Sequence, residues 1–150
     1  MKLRIPPVLV FAIFFGIMYA VSIILPFGDF EFFGRQYLMV FLVGLAMIIA
    51  FISLAQFIIS KTTVDPLKPS KTSSFVTGGV YKYTRNPMYL ALLLVLSACG
   101  LWLGNAFNTL LVAGFVGYMN KFQIVPEEEM LLAKFSKEYA KYCVQVRRWF

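Results

Sequence analysis

The chain has 150 residues, of which 60% are hydrophobic, 17% aromatic and 14% charged, with a formal net charge of +7 and a mean hydropathy of +0.77. Soluble domains are about half apolar and about a quarter charged, so this composition argues against a water-soluble globule. The long uncharged runs then decide the class, and they point to a single all-α domain, residues 1–150, set in a membrane.

The first run covers the 24 residues between Arg4 and Asp29, and the second the 25 between Arg35 and Lys61. Each suffices for the roughly 20-residue helix that crosses a bilayer core. The first is read as a retained anchor, because its apolar stretch exceeds a signal-peptide core and Pro26-Phe27-Gly28-Asp29 is a poor cleavage site. Residues 1–60 thus form two spans with almost no polar side chain beyond Ser22, Ser53 and Gln56, and their Phe and Met content is read as packing and lipid contact. Function is expected in residues 61–150.

Residues 61–87 form a long connection with Pro66, Pro69, a Lys/Thr/Ser stretch, Gly78-Gly79 and Tyr81-Lys82-Tyr83. A connection of this length is an ordered functional loop or a basic linker lying on lipid headgroups. Paired glycines that let backbone approach a ligand, and tyrosines that stack on it, favour the first.

A third uncharged run, the 35 residues from Asn86 to Asn120, would make a helix of roughly 50 Å, too long for a hydrocarbon core of about 30 Å. It must fold back near Gly104, Asn105 and Asn108, with Trp102 as an interfacial anchor, giving a hairpin of helices over about 87–103 and 107–124. Asn86-Pro87 suits a helix start. Capping does not require Arg85 or Tyr89, so an anion site at this helix start is the functional reading and anchoring the plain one.

Beyond the fourth span, Pro126 followed by Glu127, Glu128 and Glu129 opens an amphipathic helix. At about 100° per residue, Leu131, Leu132, Phe135, Tyr139, Tyr142 and Val146 form one apolar stripe with Glu128 in its middle, Glu127 at its edge and Glu129 on the far side. A carboxylate inside such a stripe is costly unless paired. Glu128 is therefore expected to face a cation, a ligand or a backbone donor, with Arg85 or Lys82 in reach if the loop folds over this helix.

Thirteen of the fourteen basic residues flank the spans on one side, and only Arg35, near Asp29 and Glu31, sits opposite. The positive-inside bias places both termini and the 61–87 loop in the cytoplasm, most naturally at an inner membrane. The net charge is thereby assigned to topology and anionic lipid, with no nucleic acid as partner. The chain has no histidine and two cysteines, Cys99 and Cys143, which are expected to be free thiols. No metal site and no imidazole-based catalysis is expected. No acid lies within the four spans, which argues against a proton-coupled transporter and leaves a membrane scaffold as the non-enzymatic alternative.

The string Phe75-Val76-Thr77-Gly78-Gly79-Val80-Tyr81, then Arg85-Asn86-Pro87-Met88-Tyr89, then Glu127-Glu128, Phe135, Tyr139, Tyr142 and Arg147 after a hydrophobic hairpin, resembles the isoprenylcysteine carboxyl methyltransferase family and its phospholipid methyltransferase relatives. The resemblance covers about residues 62–149. It implies an integral-membrane methyltransferase that uses S-adenosyl-L-methionine, with a lipid or lipidated substrate at the cytoplasmic face. The implied cofactor contacts are Ser73, Ser74, Phe75, Val76, Tyr81, Asn86, Pro87, Met88, Tyr89 and Glu127, to which the wheel adds Glu128, and Arg85 resembles the family's catalytic arginine. Asn86 stands where eukaryotic members have His. Gln123 aligns with a substrate-gripping arginine, and Lys121 is the nearby cation that could substitute for it. The resemblance favours a carboxylate acceptor, with phospholipid N-methylation as the alternative.

Overall fold

The computed structural model describes residues 5–59 and 76–150. Their regular structure is all helical, with no strand among the described residues. Helices α1 (Pro7–Ile24), α2 (Arg35–Ile59), α3 (Pro87–Leu103), α4 (Asn108–Met119) and α5 (Val125–Gln145) follow in chain order. Two, α1 and α2, are long and apolar enough to cross a membrane, and α3 is a shorter apolar helix.

Helix α3 is the centre of the bundle and packs against α1, α2 and α4. Its buried positions include Ala91, Ala98 and Gly100, small residues that let helix backbones approach closely. At Gly100 a Cβ would lie 2.9 Å from Met18 Cε and 3.6 Å from Asn108 Cβ. The core joins Val10 and Met18 of α1, Tyr89 and Leu96 of α3, Phe115 and Met119 of α4, and Ile124. Phe14 and Phe115 meet edge to face at 5.6 Å, a favoured aromatic geometry.

The hairpin stands where the turn residues put it. Gly104 ends α3 in the left-handed region at φ 68° and donates to the Gly100 and Leu101 carbonyls, which closes the last turn as a glycine stop does. The hairpin tip is tied to the α1–α2 connection: Phe30 N donates to Gly104 O at 2.7 Å, Ala106 N to Gly28 O at 2.8 Å, and Asn105 Nδ2 to Leu25 O at 2.6 Å. Arg35 pairs with Glu31 at 3.7 Å, a contact of little energetic weight because Glu31 is exposed.

At the opposite end the expected break before Pro126 is absent. Helix α4 runs through a π-helical turn, Asn120–Ile124, straight into α5. Proline lacks the N–H for an i→i−4 bond and crowds that carbonyl, and the wider π turn just before it gives the room that lets the helical path continue. Helix α5 instead bends at Ser136, at φ 39° and ψ −111°. Leu132 departs from the expected stripe and is 40% exposed. Leu131 and Phe135 pack with buried Tyr139, Tyr142 and Val146 as the wheel requires, and Cys143 joins them. Cys99 and Cys143 are free.

Candidate functional site

Three pieces of chain meet at the end of the bundle opposite the hairpin tip: residues 76–89, the start of α5, and the C-terminal tail from Val146.

The first piece begins with a 3-10 turn, Gly79–Lys82. Gly79 sits at φ 55°, and a Cβ there would overlap the Gln56 side-chain amide, so the turn seats directly on α2. Tyr81 is buried. Its hydroxyl lies 2.7 Å from Ser53 Oγ, its ring meets Phe57 edge to face at 5.6 Å, and its carbonyl accepts from Tyr142 Oη at 2.7 Å. Burial, first, and then the nearby Glu127 carboxylate and Tyr142 push the Tyr81 hydroxyl well above its ordinary range, against a lowering hydrogen bond from Ser53. Tyr81 is therefore a neutral hydroxyl and a fixed aromatic face.

The tail clamps the next residues through its main chain. Arg85 N donates to Arg147 O at 2.9 Å, Thr84 Oγ1 to Arg148 O at 3.1 Å, and Asn86 Nδ2 to Arg148 O at 3.0 Å. Asn86 thus occupies the cap position of α3 without capping it by side chain, because its amide is engaged with the tail. Trp149 Nε1 donates to Asn120 Oδ1 at 3.0 Å and fastens the tail to the π turn.

The two adjacent glutamates take different partners. Glu127 Oε2 accepts from Tyr89 Oη at 3.1 Å. Glu128, buried as expected, meets Arg85 Nη1 at 3.2 Å. It also takes a fork from Arg148, with Nε 3.1 Å from both carboxylate oxygens and Nη2 2.7 Å from Oε2. The hydrogen bond to Glu128 raises the Arg148 pKa above its ordinary value, against a smaller opposing effect of burial. Arg85 Nε is buried and has no hydrogen-bond partner among the described residues. It is a donor left over beside an otherwise satisfied cluster.

Of the residues expected at the site, Ser73, Ser74 and Phe75 lie outside the described residues. Arg85, Asn86, Tyr89, Glu127 and Glu128 come together, with Tyr81 beside them and Pro87 and Met88 in the first turn of α3. Val76 is half-buried at the start of this segment. Lys82 is exposed and lines an open cleft of about 530 Å³ with Thr77, Glu138, Lys141, Tyr142, Gln145 and Val146, and none of the expected cofactor contacts among the described residues lines it.

Gln123 does not face such a space. It is fully buried, and its Nε2 donates to the Ile5 carbonyl, tying the π turn to the start of α1. Lys121 is exposed, with its ammonium 5.4 Å from the Phe122 ring centroid. Sequence reasoning missed Ser53, Gln56, Thr84, Asn120, Arg148 and Trp149. Two signals were present: Ser53 and Gln56 are polar residues in the otherwise apolar second half of α2, and a buried Glu128 called for more than one donor.

Residues 34–138 match the phospholipid methyltransferase family. Over 62 residues the chain is 52% identical to an uncharacterized protein of Haemophilus influenzae, a stretch that covers 41% of this chain and 98% of that protein. No solved structure matches.

Proposed function

The chain belongs to the phospholipid methyltransferase family, which takes in the isoprenylcysteine carboxyl methyltransferase-like membrane methyltransferases, and from that premise we propose that it moves a methyl group from S-adenosyl-L-methionine to an anionic oxygen of a lipid or lipidated acceptor. The observation that carries this reading is the convergence of Arg85, Tyr89, Glu127 and Glu128 at one end of the bundle.

The residues fit such a cofactor. A carboxylate and a phenol, Glu127 and Tyr89, suit its ammonium and ribose hydroxyls, the buried Tyr81 offers an aromatic face for a sulfonium, and the leftover Arg85 Nε suits a carboxylate. When bound, it supplies a methyl group made electrophilic by the sulfonium. The protein's part is alignment. Arg85, held by Glu128 and by the Arg147 carbonyl, orients an acceptor oxygen. Tyr89 and Glu127 hold the donor's polar end, and the packed tyrosines exclude water. A carboxylate acceptor with a pKa near 4 is already ionised at pH 7, so no general base is required, and orientation supplies most of the rate gain. A phospholipid amine is the second reading, favoured by the family's description. The buried guanidinium of Arg85 argues against it, because a cation beside the acceptor nitrogen is repulsive.

In this reading α1, α2 and the short α3–α4 hairpin are four spans, the site opens at the cytoplasmic face of an inner membrane with both termini on that side, and the acceptor enters laterally from lipid. Lys121, exposed within the site's π turn, is left to meet an anionic headgroup, and Gln123 serves the fold.

Titrating the purified protein in micelles with S-adenosylhomocysteine tests the proposal. Saturable binding is expected well below about 1 mM, and Glu127→Gln weakens it by about tenfold while leaving the circular dichroism unchanged. No saturation up to about millimolar concentration refutes it.

A further inference from the structure

Arg148 lies beyond the family-matched residues 34–138, yet it touches more of the site than any other tail residue. We infer that Arg148 is a positioning residue: its guanidinium grips both oxygens of Glu128 and so fixes the carboxylate that holds Arg85. The inference rests on the proposed methyl-transfer site and adds to it a residue supplied by the C-terminal tail.

The geometry gives Arg148 this role twice over. Its side chain forks onto Glu128 from Nε and Nη2, and its carbonyl accepts from Thr84 and Asn86, the residues on either side of Arg85. One contact from Arg85 Nη1 at 3.2 Å leaves a flexible glutamate free to turn. A fork removes that freedom, because a planar guanidinium dictates the plane of the carboxylate it binds. The pairing is layered. The Arg85 and Glu128 side chains are each 11% exposed, whereas Arg148 is 41% exposed, so Arg148 shields the inner pair from water. Arg85 depends on that pair, since its Nε has no partner among the described residues. Trp149, bonded to Asn120, holds the tail so that the fork is aimed.

The test has a cofactor arm and an arm that needs no cofactor. In the first, Arg148→Ala weakens S-adenosylhomocysteine binding by roughly tenfold. Arg148→Lys, a point charge that cannot make the planar fork, recovers only part of the loss. The double variant Glu128→Gln/Arg148→Ala binds no worse than Glu128→Gln alone, as two residues acting through one contact must. In the second, Trp102→Phe leaves Trp149 as the sole indole of a chain with two, and Arg148→Ala or Glu128→Gln shifts its emission to longer wavelength as the tail lifts. Arg148→Ala with wild-type affinity and unshifted emission overturns the inference, and additive losses in the double variant overturn the route through Glu128. If the wild-type protein binds no S-adenosylhomocysteine, the proposed function fails, and the emission arm alone decides whether Arg148 seats Glu128.

Discussion

Gly79→Ala isolates the contact by which a membrane helix holds the candidate site. Gly79 has φ 55°, and the three nearest atoms to an added Cβ all belong to the Gln56 side-chain amide. Two costs follow. An L-residue in the left-handed region loses about 1–2 kcal/mol relative to glycine. Overpacking against Gln56 costs a further ~1–3 kcal/mol if the amide stays in place, and less if it swings aside, since it is the end of a flexible chain. Gln56 Oε1 is buried without a partner among the described residues, so no hydrogen bond to that atom resists the swing, but the packing of the turn on α2 does. The expected loss is therefore about 1–5 kcal/mol in equilibrium unfolding followed by circular dichroism in micelles. In a Gln56→Ala background the same substitution falls to the dihedral cost alone, about 1–2 kcal/mol. A Gly79→Ala protein as stable as the wild type refutes the geometry of the turn, and an equal loss in both backgrounds refutes the contact with Gln56.

Two further outcomes follow from the same network. Ser53→Ala strips a buried Tyr81 hydroxyl of its 2.7 Å partner and destabilises by about 1–3 kcal/mol, whereas adding Tyr81→Phe recovers most of that loss because no unpaired polar group remains; equal stability of wild type and single variant counts against the bond. Burial, first, pushes the Tyr142 hydroxyl up to about 12 from 10.0, with Arg85 pulling it down and Cys143 pushing it up. The folded protein therefore holds that proton more tightly than the unfolded chain, and the stabilisation is whole below pH 10 and lost as the pH rises to about 12. Unfolding midpoints measured across that window fall less steeply for Tyr142→Phe, and identical slopes refute the assignment.

What the sequence discloses of this molecule depends on whether side chains or main chain do the binding. The α3 boundaries, 87 and 103, are read correctly because Pro87 and Gly104 are local signals that act where they stand. Glu128 is legible because a carboxylate in an apolar stripe demands a cation, and Arg85 answers it. The second cation is not, since Arg148 reads as one more charge of a basic tail in which the resemblance picks out Arg147 instead. The clamp on residues 84–86 is invisible in principle, because its acceptors are the carbonyls of Arg147 and Arg148, which every residue type carries. Function is expected in residues 61–150, and Ser53 and Gln56 stand in the sequence only as rare polar residues of a span; their contacts with Tyr81 and Gly79 become visible when the loop is seen against α2. The break expected at Pro126 fails because a proline's disruption is absorbed by the turn before it, and a π turn leaves no composition mark.

That unbroken passage explains how one helix serves two pairings. Glu127 and Glu128 are neighbours, so on α5 their side chains diverge by about 100°. One reaches Tyr89 on α3 and the other reaches Arg85 and Arg148. Had α4 and α5 been joined by a flexible loop, each contact would have to fix the helix for itself. Because α5 is a continuation of α4, and α4 packs on α1 and α3 through Phe115 and Met119, the bundle core sets the position of both carboxylates together. The polar ties then need only select rotamers. Orientation is what a continuous helix carrying two adjacent carboxylates delivers, and the proposed transfer to an already ionised acceptor draws on orientation most.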